Sequence, residues 1–168
     1  MSEPKIIIRK ATQDDLDEIL EIYSYAREFM RKTGNPTQWY GHYPPKSVLE
    51  NDITKQQLYV CVADGVCAVF MMHKGPDKTY AVIENGNWPN QNEYGVIHRI
   101  ASNGKQKGIL KVCIDFCKNF YSDIRIDTHQ NNKIMQHLLE KNGFCRCGII
   151  YTESGEERIA YQYSKAQA

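Results

Sequence analysis

The sequence predicts an α/β fold: a mixed, mostly antiparallel sheet flanked by helices, with a parallel βαβ crossover at its centre. Three observations predict it. Short runs that alternate apolar and polar residues follow one another from residue 58 to 101, separated by turn residues, as antiparallel strands do. After residue 102 the pattern changes to helix, strand, helix, which demands a crossover. The chain has 168 residues, 42% of them hydrophobic, enough for one full core and too few for two, so a single domain over 1–168 is expected.

Taken in order, IIIRK at 6–10 reads as a short strand. ATQDDLDEILEIYSYAREFMRK follows with Leu16, Ile19, Leu20, Tyr23, Ala26 and Met30 at helical spacing, and Thr12 and Asp15 set at its start like a capping pair. GNPTQWYGHYPP, at 34–45, breaks all periodicity and is a loop, and a short helix lies near 46–55. QLYVCVADGVCAVFMMH holds two strands joined by Asp64-Gly65, a hairpin dipeptide whose residues tolerate positive φ. TYAVIENGNW reads as a fourth strand and EYGVIHRIA as a fifth. ILKVCIDFCKNF is a helix, DIRIDT a strand and NNKIMQHLLEKN an amphipathic helix; FCRCGIIY and RIAYQY close the chain as a hairpin across ESGEE.

Lys plus Arg number 21 against 20 Asp plus Glu, so no basic field exists to hold a nucleic acid, and no acidic excess points to disorder. The opening MSEPKIIIRK has no signal-peptide core, and no apolar run approaches a membrane span; the expectation is a cytoplasmic protein with no membrane partner. Its 6 cysteines are then expected as free thiols. Cys145-x-Cys147 lacks a second ligand pair, and no metal is expected.

SNGKQKGIL, at 102–110, joins the strand EYGVIHRIA to the next helix. A helix N-terminus offers backbone N–H groups without intrahelical partners and a partial positive charge. Lys105 and Lys107 add charge, and glycine at 104 and 108 permits close backbone approach. The turn is either an ordinary basic surface turn or a cradle for phosphate, and its pattern alone leaves both open.

The element order, this turn and the block NNKIMQHLLEKNGF together resemble the GNAT superfamily of N-acetyltransferases over nearly the whole chain. The family's Arg/Gln-x-x-Gly-x-Gly/Ala turn aligns with Lys105-Gln106-Lys107-Gly108-Ile109-Leu110, where only the middle glycine matches strictly. Its Asn-x-x-Ala-x-x-Leu-Tyr-Glu-Lys-x-Gly-Phe block puts Asn132, Leu138, Glu140, Lys141, Gly143 and Phe144 in register, with Met135 for Ala and Leu139 for the tyrosine that protonates the departing sulfur in many members. The resemblance implies that acetyl-CoA is the cosubstrate, with its pyrophosphate on 105–110 and its pantetheine arm along Ile100, Ala101 and Ser102, supported by Asn132. Asn132 has a plainer reading as a helix N-cap.

The implied reaction moves acetyl from acetyl-CoA to a primary amine, of a small molecule or a protein N-terminus, by direct attack in a ternary complex. An alkyl amine with a pKa of about 10.4 must first lose its proton. In such enzymes a carboxylate or histidine on the central strands serves, which points to Glu84, ranked first, and His98. Each has a structural alternative: a solvated strand-end charge for Glu84, a half-buried histidine near Arg99 for His98. Tyr151 or Cys145 could replace the missing acid, although packing suits both. Trp39, Tyr40 and Tyr43, with His42, offer aromatic surfaces for the amine, or Trp39 simply anchors its loop; Trp88 is equally ambiguous. A non-catalytic acyl-CoA-binding regulatory or interaction module on the same fold is the alternative function. The acceptor is not legible, and a homodimer is left open.

Overall fold

The computed structural model describes residues 5–167; Met1–Pro4 of the MSEPKIIIRK opening and Ala168 lie outside the described residues. Seven strands form one sheet in the order β1-β2-β3-β4-β5-β7-β6: β1 (Ile7–Lys10), β2 (Leu58–Val62), β3 (Val66–Lys74), β4 (Gly95–Ser102), β5 (Asp123–Thr128), β6 (Cys145–Tyr151) and β7 (Glu157–Ser164). Four helices accompany it: α1 (Leu16–Lys32), α2 (Lys46–Thr54), α3 (Ile109–Cys117) and α4 (Lys133–Lys141). β1 pairs β2, β2 pairs β3, and β7 pairs both β5 and β6, all antiparallel; β4 and β5 are the parallel pair, joined by α3. Among the described residues no helix is long and apolar enough to cross a membrane.

The chain packs as two compact units, one taking the chain up to Met72 with Arg99–Phe116, the other His73–His98 with the chain from Cys117 on. In the first unit, α1 buries Leu16, Ile19, Ile22, Tyr23 and Ala26, a stripe at helical spacing, against Leu49, Ile53, Leu58, Val60 and Val69. Its entry is fixed by Asp15, whose carboxylate accepts the Thr12 N–H at 2.8 Å and both Arg9 guanidinium nitrogens at 2.8 Å. The Asp64-Gly65 hairpin forms as expected, with φ of +52° and +92° at the two residues. Stacked Tyr59 and Phe70 meet Phe116 of α3, and Cys61 lies beside Cys113 with 3.8 Å between sulfurs. All six cysteines are free thiols.

In the second unit, β5 is buried beside β7, and Tyr80, Val96, Ile150 and Ala160 form a small core. The Arg125 guanidinium lies 4.0 Å from the ring centres of both Trp88 and Tyr94, and donates to Gln162 Oε1 at 2.8 Å. Here one expectation fails. TYAVIENGNW is not a strand: Lys78–Tyr80 is a 3-10 turn, and only Glu84 pairs with the sheet, through an isolated antiparallel bridge to Ile149. The Asp77 side chain accepts the Thr79 N–H and caps the turn, and Tyr80 and Trp88 are drawn into the core, so side-chain packing overrides the alternating pattern.

Candidate functional site

The basic turn lies in the first unit. Asn103 Oδ1 accepts the Lys105 N–H at 3.0 Å, folding 103–105 into a tight turn, and Gly104 and Gly108 take φ of +77° and +70°. A Cβ on Gly104 would stand 2.5 Å from the Tyr25 hydroxyl, whereas one on Gly108 would meet nothing within 4 Å. The backbone in front of α3 is therefore open at Gly108. Ile109 and Leu110 are both buried. Lys105 and Lys107 are exposed. Two flexible cations beside the N-terminal N–H groups of a helix make this stretch able to receive a polyanion.

Just before the turn, β4 kinks at Arg99, whose φ is +53°, a backbone that costs a non-glycine residue free energy. Two contacts hold it. The Tyr23 hydroxyl donates to the Arg99 carbonyl at 2.6 Å, and the Arg99 guanidinium pairs with Asp52 of α2 at 2.5 Å, with side chains only 15% and 4% exposed. Burial works against the Arg99 charge, yet the adjoining Asp52 carboxylate raises its pKa overall. Neither Asp52 nor this use of Arg99 was expected, because no sequence pattern marks a positive φ at an arginine.

Trp39 is partly buried, edge-on to Tyr23 with ring centres 5.6 Å apart, so it does anchor its loop. Its ring also lies 6.3 Å from that of Tyr43, whose backbone carbonyl accepts from Arg27. Tyr40 and Tyr43 keep exposed faces. Ile100 is half-buried, Ala101 buried in the first unit's core, and Ser102 Oγ accepts the Gly104 N–H at 3.4 Å.

The two proton-acceptor candidates, both in the second unit, have different partners. Glu84 is exposed; its Oε2 accepts the Tyr151 hydroxyl at 2.9 Å, and its backbone is tied to β6, which β7 and β5 separate from β4. His98 lies on β4, with Nε2 2.8 Å from Asp77 Oδ2. Burial alone would raise the Asp77 pKa, but hydrogen bonds from His73, His98 and Thr79 outweigh it and hold the carboxyl well below the usual range. Asp77 is thus an acceptor, His98 Nε2 carries the proton, and in the neutral ring Nδ1 keeps the lone pair. The Tyr80 ring, whose hydroxyl donates to Asp127 at 2.7 Å, flanks His98 with centres 6.0 Å apart. Sequence reasoning missed Asp77 and His73; His98 stands 21 residues beyond Asp77, and no local motif links them.

Asn132 caps α4, its Oδ1 accepting the Met135 N–H at 3.1 Å. Leu139 is wholly buried, and so places no polar atom where the family's tyrosine would stand. Gln106 is half-buried and Cys145 exposed.

No protein-family model matches the chain, and no curated protein matches it in sequence. Solved structures do. A GNAT-family acetyltransferase from Streptococcus agalactiae superposes with a TM-score of 0.87 and 29% identity over 95% of both chains. AAC(6')-Ib, solved in complex with ribostamycin and coenzyme A, gives a TM-score of 0.66 and 16% identity over 96% of this chain and 94% of that one. The ribosomal-protein-S18-alanine N-acetyltransferase of Escherichia coli gives 0.61 and 14% over 98% and 96%. The last two share the fold; the first shares sequence as well across nearly all of both chains. The parallel β4–α3–β5 crossover, the glycine turn that opens α3 and this near-complete match give the chain the fold of the GNAT superfamily of acetyltransferases, with sequence similarity to one of its members.

Proposed function

We propose that residues 1–168 form one acetyl-CoA-binding N-acetyltransferase domain that moves an acetyl group from acetyl-CoA to a primary amine of a small molecule or protein N-terminus, by direct attack in a ternary complex. The observation that carries this reading is the turn before α3, where Gly108 at φ +70° leaves the helix N-terminus open beside Lys105 and Lys107. Neighbours of the same fold support it: one was solved with coenzyme A and ribostamycin, another with coenzyme A and a peptide.

In this reading the N–H groups and lysines of 105–110 take the pyrophosphate, and Ile100, Ala101 and Ser102 follow the pantetheine arm. Bound acetyl-CoA supplies the activated acyl group as a thioester. Backbone N–H groups after the Arg99 kink polarise the carbonyl. The amine nitrogen forms the new N–C bond, its proton passes to His98 Nδ1 directly or through one water, and the C–S bond breaks with the electron pair leaving on sulfur. A thiol with a pKa near 8.5 leaves as a thiolate with modest help, so the buried Leu139 does not forbid the reaction. The Asp77 contact favours His98 over Glu84 as proton acceptor, because a fixed carboxylate orients the ring and stabilises the imidazolium that forms. Trp39, Tyr40 and Tyr43 border the amine, and Asn132 supports the cosubstrate in addition to capping α4.

Thiol release measured with a panel of amines tests the reading and separates it from a non-catalytic acyl-CoA-binding module, which releases none. His98→Gln is expected to lower kcat by roughly a hundredfold or more while Glu84→Gln stays near wild type. The opposite ranking would reassign the proton acceptor to Glu84.

A further inference from the structure

The second unit gathers two imidazoles and a carboxylate that acetyl transfer uses only in part. The ligand atoms of His73, Asp77 and His98 all lie within 4.8 Å of one another. Asp77 is held from one side: its Oδ1 accepts the Thr79 N–H at 2.9 Å and the Thr79 hydroxyl at 2.6 Å, and its own N–H donates to the Tyr94 hydroxyl at 2.9 Å. Oδ2 is left to face both rings, His98 Nε2 at 2.8 Å and His73 Nε2 at 3.7 Å.

The tautomer of His73 gives this convergence its meaning. His73 Nδ1 lies 2.9 Å from the Lys74 carbonyl, which can only accept, so Nδ1 carries the proton and the neutral ring turns its Nε2 lone pair toward a carboxylate oxygen. Two acceptors so opposed repel; a second proton on the ring, which lets Nε2 donate to Asp77, or a metal ion between the two atoms relieves the repulsion. A ring N–H held by a backbone carbonyl, which fixes the tautomer and leaves the other nitrogen as the ligand atom, is how metal-binding histidines are oriented.

We propose that His73 Nε2, Asp77 Oδ2 and His98 Nε2 bind a divalent transition-metal ion of the zinc type. Ligand atoms about 2.0–2.1 Å from a tetrahedral zinc ion stand ~3.3 Å apart, and the 2.8 and 3.7 Å separations bracket that value. Two imidazoles and one carboxylate suit zinc and its neighbours in the first transition row and leave a coordination position for water. The side chains are 17%, 12% and 24% exposed, so the ion would enter from solvent and then be mostly shielded from it. One consequence rests on the role proposed for His98. A metal on Nε2 leaves the ring's one proton on Nδ1, the nitrogen that receives the proton of the amine, so the bound ion inhibits acetyl transfer.

The test reads binding and not activity, so its failure leaves the acetyl-transfer reading standing. Reduced, metal-free full chain is titrated with Zn²⁺ by calorimetry and with Co²⁺ by visible absorption at neutral pH, beside His73→Gln, His98→Gln and the Cys145→Ser/Cys147→Ser double variant, each checked for an unchanged melting temperature. A single ion is expected, with a cobalt spectrum free of thiolate charge transfer. Each histidine variant is expected to weaken binding by about tenfold to a hundredfold, and the cysteine variant to leave it unchanged. Absence of binding in the wild type would show that only a proton fills the gap and would overturn the proposal. Binding that survives both histidine variants, or that the cysteine variant abolishes, would overturn it too.

Discussion

Replacing Asp52 by alanine removes the carboxylate that faces Arg99, the residue at which β4 kinks. The pair is buried, with side chains 4% and 15% exposed, and Arg99 Nε already lacks a hydrogen-bond partner. Taking away one member of a buried pair leaves an uncompensated charge and costs about 3–5 kcal/mol. The residual exposure of Arg99 admits some water, which places the expected loss near the lower end, about 3 kcal/mol. At ~2–4 °C per kcal/mol for a chain of this size, the melting temperature should fall by roughly 6–12 °C. Thermal unfolding followed by circular dichroism measures this, with Glu28→Ala as the control. Glu28 pairs with Arg31 and Lys32 on the exposed face of α1, and its loss should leave the melting temperature unchanged within error. A fall of less than about 2 °C in Asp52→Ala would refute the argument that this pair holds the kinked strand.

Two further predictions concern elements around the site. Gly104→Ala puts a Cβ 2.5 Å from the Tyr25 hydroxyl on a backbone at φ +77°, and is expected to destabilise the fold by about 1–2 kcal/mol, read as a lower denaturant midpoint; an unchanged midpoint would show that the turn yields freely. Hydrogen bonding from Arg9, opposed by burial and helped by the Thr12 N–H, lowers the Asp15 pKa from an ordinary 3.8 to about 2. A lowered carboxyl contributes stability that is fully present above its unfolded pKa and is lost as pH falls through the folded one. Discounted for the solvent-exposed Arg9, that contribution is roughly 1–2 kcal/mol. Denaturant midpoints of the wild type and Asp15→Asn should therefore differ near neutral pH and converge between an ordinary 3.8 and about 2; a gap that persists at the acid end would contradict the linkage.

What was legible in the sequence was what depends on neighbours along the chain. The Asp64-Gly65 hairpin, the DIRIDT strand and the α1 stripe each follow from local pattern, and each formed where expected. The turn at 102–110 was legible for the same reason, because its glycines and its place before a helix are adjacent in sequence. TYAVIENGNW misled because its alternation is satisfied by packing Tyr80 and Trp88 into a core, with a single bridge at Glu84, and not by a ladder. The Arg99–Asp52 and His98–Asp77 contacts join residues 47 and 21 positions apart, and a positive φ at arginine has no signature in composition or period. Ranking Glu84 ahead of His98 followed from chemistry alone; the carboxylate that distinguishes the histidine is visible only in the folded chain.

Calorimetric titration of acetyl-CoA into the wild type and the Lys105→Glu/Lys107→Glu double variant tests the central claim most directly. Stoichiometric binding to the wild type is expected. In the double variant two charge-assisted contacts to the pyrophosphate are lost and replaced by repulsion, and affinity should fall by at least about a hundredfold, the equivalent of ~3 kcal/mol. The melting temperature should not change, because both lysine side chains are exposed. Equal affinity in the two proteins would contradict the account and show that the turn before α3 is not where the cosubstrate's pyrophosphate sits.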